Sequence, residues 1–177
     1  MSLSVCIFCG SSFGDDAWFS EAARATGFAI ARRGWTLVYG GARVGLMGVV
    51  ADAALGAGGR VVGVIPRFLY EREVGHDGIT SLEIVASLTE RKLRMGELAD
   101  AFLSLPGGIG TLDEMFEAWS WSQVGLQHKP SALLNVAGYC DGLVAFLERA
   151  TAAGFMKPQH RQMLAVSEDV EELLDGF

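Results

Sequence analysis

Short apolar runs alternate with amphipathic stretches from one end of the chain to the other, the pattern of a parallel sheet sandwiched by helices. Residues 5–9, 35–39, 61–65, 82–86, 101–105 and 132–136 read as strands, and 101–105 is a short continuous apolar run suited to a strand covered on both faces. Between the first two, Asp15 or Asp16 can cap a helix that lines Phe19, Ala22, Ala23, Thr26 and Ile30 along one side, and Gly34 stops it. Further helices are expected over residues 46–56, 89–99, 111–124 and 141–153, with a closing amphipathic turn or two over 168–174. The fold class predicted is α/β: a three-layer, Rossmann-like open parallel sheet with helices on both faces. At 177 residues the chain suits one domain, 1–177, and shows no linker or internal repeat.

In such sheets ligands sit beyond the carboxyl ends of the strands. Three small-residue turns fall there: Gly10-Ser11-Ser12, Gly40-Gly41-Ala42 and Pro106-Gly107-Gly108. Residues 67–81 form a polar connection holding Glu71, Glu73, His76 and Asp77, long enough to be expected to reach over the site.

Charge narrows the ligands. The net charge is −7, without the basic face that nucleic acid or anionic lipid requires, so neither is expected as a partner. The start, Met1-Ser2-Leu3-Ser4, has no basic region followed by a long apolar one, and no apolar run reaches the length of a membrane span; a cytoplasmic location is expected. Cys6 and Cys9 have C-x-x-C spacing, but positions three apart on a strand face opposite ways, so they read as two small buried hydrophobes. His76, His128 and His160 are scattered without ligand spacing, and no metal site is expected.

Two nucleotide motifs are approached and missed. Residues 40–45 have the outer glycines of a P-loop, yet Leu46 and Met47 stand where lysine and a hydroxyl residue would hold phosphate and magnesium. Gly108-Ile109-Gly110 begins a dinucleotide fingerprint, but Asp113 replaces its third glycine and the pattern does not follow the first strand. What remains is Pro106-Gly107-Gly108-Ile109-Gly110-Thr111-Leu112-Asp113-Glu114, a glycine turn that runs from a strand into a helix opened by Thr111. Free N–H groups and the positive end of the helix dipole make that turn an anion cradle. Glu114 then has two open uses. Thr111-Leu112-Asp113-Glu114 fits a capping box, in which the glutamate bonds back to the cap; beside a phosphorylated sugar the same carboxylate could act chemically. Glu117 reads as a solvated charge.

A second polar group, Thr89-Glu90-Arg91-Lys92-Leu93-Arg94-Met95, begins just beyond a strand. Helical spacing puts Arg91, Arg94 and Met95 on one face and turns Lys92 about 100° away. Taken alone, the set reads as a solvated charged face.

In order and spacing, four motifs together resemble the Lonely Guy family of cytokinin riboside 5′-monophosphate phosphoribohydrolases, often labelled lysine decarboxylases. They are Cys9-Gly10-Ser11-Ser12, the run Tyr39-Gly40-Gly41-Ala42-Arg43-Val44-Gly45-Leu46-Met47-Gly48, Glu90-Arg91-Lys92 with Met95, and the glycine turn ending in Glu114. The resemblance extends to Lys129-Pro130 and Leu134-Asn135-Val136. It implies hydrolysis of the N-glycosidic bond of an adenine-type nucleoside 5′-monophosphate, a homodimer, and no metal or organic cofactor. It also implies catalytic roles for Arg91 and Glu114, and ligand contacts at Glu73, Lys92, Gly108, Ile109, Gly110, Thr111, Leu112, Asp113 and Ser120. Two positions depart from the family pattern: Ala42 where a third glycine is common, and Leu88-Thr89 where Met-His is common. An alternative of another class is a non-catalytic carrier or sensor of a nucleotide or molybdopterin. Decarboxylation of lysine finds no recognisable context for a cofactor-binding lysine.

Overall fold

The structure, a computed structural model, describes residues 2–177 apart from the side chain of Glu73. Seven strands form one all-parallel sheet: β1 Ser4–Phe8, β2 Thr36–Tyr39, β3 Arg60–Pro66, β4 Ser81–Val85, β5 Ala101–Ser104, β6 Ser131–Leu134 and β7 Leu164–Ser167, in the order β4-β3-β2-β1-β5-β6-β7. The helices are α1 Ala17–Arg32, α2 Gly45–Gly56, α3 Arg67–Leu69, α4 Leu88–Leu98, α5 Ile109–Gln123, α6 Asp141–Ala152, α7 Pro158–Arg161 and α8 Val170–Asp175. Among the described residues no helix is long and apolar enough to cross a membrane.

Alternation along β1 explains the three layers. Val5, Ile7 and Cys9 join a core with Ile30, Val50 and Leu173, contributed by α1, α2 and α8. Cys6 and Phe8 point the other way, into a core with Met95, Met115, Trp119 and Leu147 from α4, α5 and α6. The cysteines therefore sit in opposite layers, as strand geometry requires, and all three in the chain are free and buried. Asp16 caps α1 by accepting from the Trp18 amide at 3.0 Å, and the chain leaves that helix through Gly34 at φ +68°.

Some elements differ from the pattern-based expectation. The last strand, β7, and the one-turn α7 were not foreseen, because Leu164–Ser167 carries only two large apolar residues and lies at the sheet edge. Residues 67–81, read as an irregular connection, are helical in their first half, where α3 passes into a π-helical turn, Tyr70–Val74; residues 75–80 are irregular, and Ser81 already belongs to β4. Pro66 is the last residue of β3 rather than the residue beyond it.

The sheet order places the crevice. From β1 the chain winds outward through β2, β3 and β4, then crosses to the other side of β1 to make β5. The connections leaving β1 and β5 consequently go to helices on opposite faces, α1 and α5, and a gap opens between the two strand ends.

Candidate active site

The two turns at this switch point are tied together. The Leu105 amide donates to Phe8 O at 2.8 Å and the Gly10 amide to Pro106 O at 3.0 Å. The Leu46 amide, in the first turn of α2, donates to Gly10 O at 3.0 Å. Contact is so close that side chains are excluded: a Cβ on Gly107 would lie 2.1 Å from Thr111 Oγ1 and 2.8 Å from the Gly10 nitrogen. Gly45, at φ +51°, meets the backbone of Ser11 and Ser12 in the same way.

Helix α5 begins earlier than Thr111. Its N-cap is Gly108, which has no side chain to cap with, and the first helical bond runs from the Leu112 amide to Gly108 O at 3.1 Å. The amides of Ile109, Gly110 and Thr111 thus precede the first helical donor and front the crevice at the positive end of the dipole. This corrects the capping-box expectation. Thr111 lies inside the first turn, buried, and Glu114 reaches sideways to Arg91 on α4 instead of back to a cap.

Arg91 and Glu114 form an ion pair in which both side chains are mostly buried, at 14% and 11% exposure. Burial pushes the Glu114 carboxyl above the usual glutamate range, the charge of Arg91 opposes this, and Asp113 adds to it. Arg91 Nε is also buried and finds no acceptor among the described residues. The guanidinium therefore keeps an unused donor at the floor of the cleft, and Arg91 is no part of a solvated face.

Beside this pair Lys92 bonds Asp113 at 3.0 Å and Glu117 at 2.9 Å. Glu117 is thus an ion-pair partner, not the free solvated charge its spacing suggested. These contacts hold the Lys92 ammonium above its ordinary proton affinity, Glu117 chiefly. Arg94 turns toward Glu83 on β4 at 2.7 Å and Glu97 at 3.0 Å, and Met95 packs into the core. The three-residue face read from α4 accordingly splits among cleft, sheet edge and interior.

Around these groups lies a cleft of about 860 Å³. Gly108, Ile109, Gly110, Thr111 and Asp113 line one wall, with Arg91, Lys92 and Glu114 beside them. Apolar side chains from the facing elements complete it, among them Val44, Met47, Leu69, Val74 and Leu88. Of the other expected residues, Leu112 packs against the core and Ser120 is exposed on α5, its hydroxyl donating to Glu117 O at 2.8 Å. The Glu73 side chain lies outside the described residues. Sequence reasoning missed Tyr139, whose hydroxyl donates to Gly107 O at 2.8 Å from an exposed position after β6. No periodicity marks it: the contact depends on Ala137, a non-glycine residue at φ +49° in the short turn before it.

Known proteins match this chain in sequence and in shape. The family model described as "Possible lysine decarboxylase" matches residues 47–177. The cytokinin riboside 5′-monophosphate phosphoribohydrolase of Rhodococcoides fascians is 47% identical over 169 residues, covering 95% of this chain and 85% of its own. One from Arabidopsis thaliana with the same name is 39% identical over 170 residues, covering 96% and 80%. Among solved structures, the molybdenum cofactor binding protein of Rippkaea orientalis superposes with a TM-score of 0.75 at 20% identity, over 99% of this chain and 94% of that one. The molybdenum cofactor carrier protein of Chlamydomonas reinhardtii gives 0.74 at 19% identity, over 99% and 96%. The shape is shared broadly, while the sequence is shared with the phosphoribohydrolases; this chain belongs to the Lonely Guy family.

Proposed function

We propose that the protein hydrolyses the N-glycosidic bond of adenine-type nucleoside 5′-monophosphates, releasing the free base and ribose 5-phosphate. The buried Arg91–Glu114 pair beside an open helix N-terminus carries this reading, because it sets a carboxylate within reach of a sugar whose phosphate the amides hold. Phosphate binds the amides of Ile109, Gly110 and Thr111, with the Lys92 ammonium nearby. Binding energy from that remote anchor positions the ribose.

Cleavage then builds positive charge on the sugar, as in glycoside hydrolysis. Glu114 stabilises that charge or orients the attacking water, and Arg91 fixes the carboxylate in place. The Arg91 Nε–H, free of any acceptor among the described residues, serves the bound substrate. The adenine-type base faces the apolar wall of Val44, Met47, Leu69, Val74 and Leu88. Gly108, Asp113 and Glu73 complete the proposed contacts, and the chain acts as a single domain.

Ser120 supports a homodimer. It lies eleven residues into α5, about 16 Å along the axis from the helix start, too far to reach a nucleotide in its own cleft. It shares a helical stripe with Ile109 and Phe116, which are 89% and 36% exposed. Covering that stripe with a second copy brings Ser120 to a partner's cleft.

Incubation of the purified protein with AMP and, separately, isopentenyladenosine monophosphate tests the proposal. Chromatography should show free base accumulating with enzyme and time. Tight binding without base release would instead favour a carrier of the kind its structural neighbours are named for.

A further inference from the structure

The segment that crosses the cleft mouth, residues 67–80, is fastened midway along its length by a backbone bridge. Arg43 donates its amide to Val74 O at 2.7 Å and His76 donates its amide to Gly41 O at 2.9 Å, so the turn after β2 and the strap form an antiparallel bridge centred on Ala42 and Gly75. Beneath that bridge the His76 side chain is 2% exposed. Its Nδ1 accepts from the Gly78 amide at 3.2 Å, which leaves the ring proton on Nε2, donated to Asp52 Oδ1 on α2 at 2.8 Å. Asp52 also receives Arg43 Nη2 at 3.4 Å. A polar ring this deeply buried, with both nitrogens committed, defines one orientation of the chain that carries it.

What the fastening holds is the apolar edge of the strap. Leu69 and Val74, before His76, line the cleft opposite the glycine turn, and the π-helical turn between them is a geometry that concentrates at functional sites. The other side-chain bonds of the strap lie away from that edge: Thr80 Oγ1 accepts from the Val61 amide at 3.0 Å where the strap enters β4, and Tyr70 OH meets Asp77 Oδ1 at 3.2 Å within the strap, in an exposed position. His76 and Asp52 do not line the cleft themselves, so their influence on a ligand must pass through the strap.

We propose that His76, held by Asp52, is a positioning residue that sets the height of the Leu69–Val74 edge over the bound nucleotide. This deepens the nucleotide-monophosphate reading and rests on it. A released strap leaves the amide cradle, Arg91 and Glu114 in place but no longer closes on the ligand. The loss therefore appears in binding rather than in the chemical step.

His76→Phe, His76→Gln and Asp52→Ala test the assignment. Phe fills the site without a donor, Gln keeps a donor near the position of Nε2, and Asp52 is half-exposed, so truncating it opens no cavity in the core. For AMP, KM should rise about fivefold or more in the Phe and Ala variants with kcat within about twofold, and stay near normal in the Gln variant. Hydrogen exchange should quicken across residues 67–80 and at the Arg43 amide that the strap holds, and not in the rest of the chain. An unchanged KM accompanied only by a lower melting temperature would overturn the proposal. Calorimetric AMP affinity separates it from the hydrolytic reading: if the parent protein binds AMP without releasing base, weaker binding by the Phe and Ala variants still supports the clasp, and equal binding refutes it.

Discussion

Arg91 and Glu114 stand 23 residues apart on different helices and meet side chain to side chain at the floor of the cleft. The sheet makes this meeting possible. Strand β5, lying directly beside β1, brings the start of α5 against α4, and the glycine turn lets α5 begin without a capping side chain. Glu114 is thereby released from its helix and committed to the cleft.

Glu114→Gln keeps the shape of that side chain and removes its charge. Turnover of nucleoside monophosphate should fall roughly 10²- to 10⁴-fold, the range for losing a positioned acid–base group. AMP affinity, set mainly by the phosphate amides, should change little. Steady-state kinetics together with calorimetry on the variant check this; near-normal kcat would return Glu114 to a structural role.

Acidity gives a second handle. The carboxylate acts in its ionised form, and burial raises its proton affinity. Activity should therefore decline as pH falls through a value above that of an ordinary glutamate, not below it. Arg91 opposes the rise, so Arg91→Gln should move the acidic limb of any residual kcat/KM to still higher pH. A limb unmoved by the substitution would mean that another group sets it.

Much of this architecture was legible in the chain. Six of the seven strands show as predominantly apolar runs, β4 among them although it lies at the sheet edge; β7, at the other edge and only half covered, leaves too few large apolar residues to show. The sheet order cannot be read from local pattern, since it depends on which strand β5 pairs with. At the site, Thr111 and Glu114 have a capping-box spacing, and only the structure shows that the cap is Gly108, three residues before Thr111. Lys92 was correctly turned away from Arg91, yet both reach α5 because its acids are spread over Asp113, Glu114 and Glu117. His76 gave no signal beyond its presence in a long connection; its partner Asp52 lies 24 residues earlier on another element.

The close approach of the two strand-end turns makes Gly107 sensitive. A methyl group there would collide with Thr111 Oγ1 and the Gly10 nitrogen. Gly107→Ala should cost about 1–3 kcal/mol of stability, as overpacking does. It should also weaken AMP binding, because the turn moves with the amides it carries. Thermal unfolding and calorimetry on one preparation measure both, and a variant with unchanged affinity would separate the turn from the cradle.

The cysteines offer a simple contrast with redox chemistry. Burial raises the proton affinity of Cys6, Cys9 and Cys140, leaving almost no thiolate at neutral pH. A thiol reagent should modify none of them in the native protein and all three after denaturation. Rapid native labelling of Cys6 or Cys9 would reopen a reactive role for the C-x-x-C pair.

Phe116 tests whether the site is built from two chains. It lies in the middle of the exposed stripe of α5, between Ile109 and Ser120, and its ring stacks on the buried Trp119 with centroids 6.0 Å apart. Phe116→Arg puts a charge at the centre of that stripe, where a second copy would have to desolvate it twice across a symmetric contact. Sedimentation should show the parent protein as a dimer and the variant as a monomer with an unchanged circular dichroism spectrum. The monomer should retain the Arg91–Glu114 pair yet bind AMP more weakly, because it lacks the partner's Ser120. Ser120→Ala in the intact dimer should reproduce part of that loss without dissociating it. If the parent is a monomer, or the Arg variant is dimeric with normal affinity, each cleft is complete within one chain and Ser120 has no part in it.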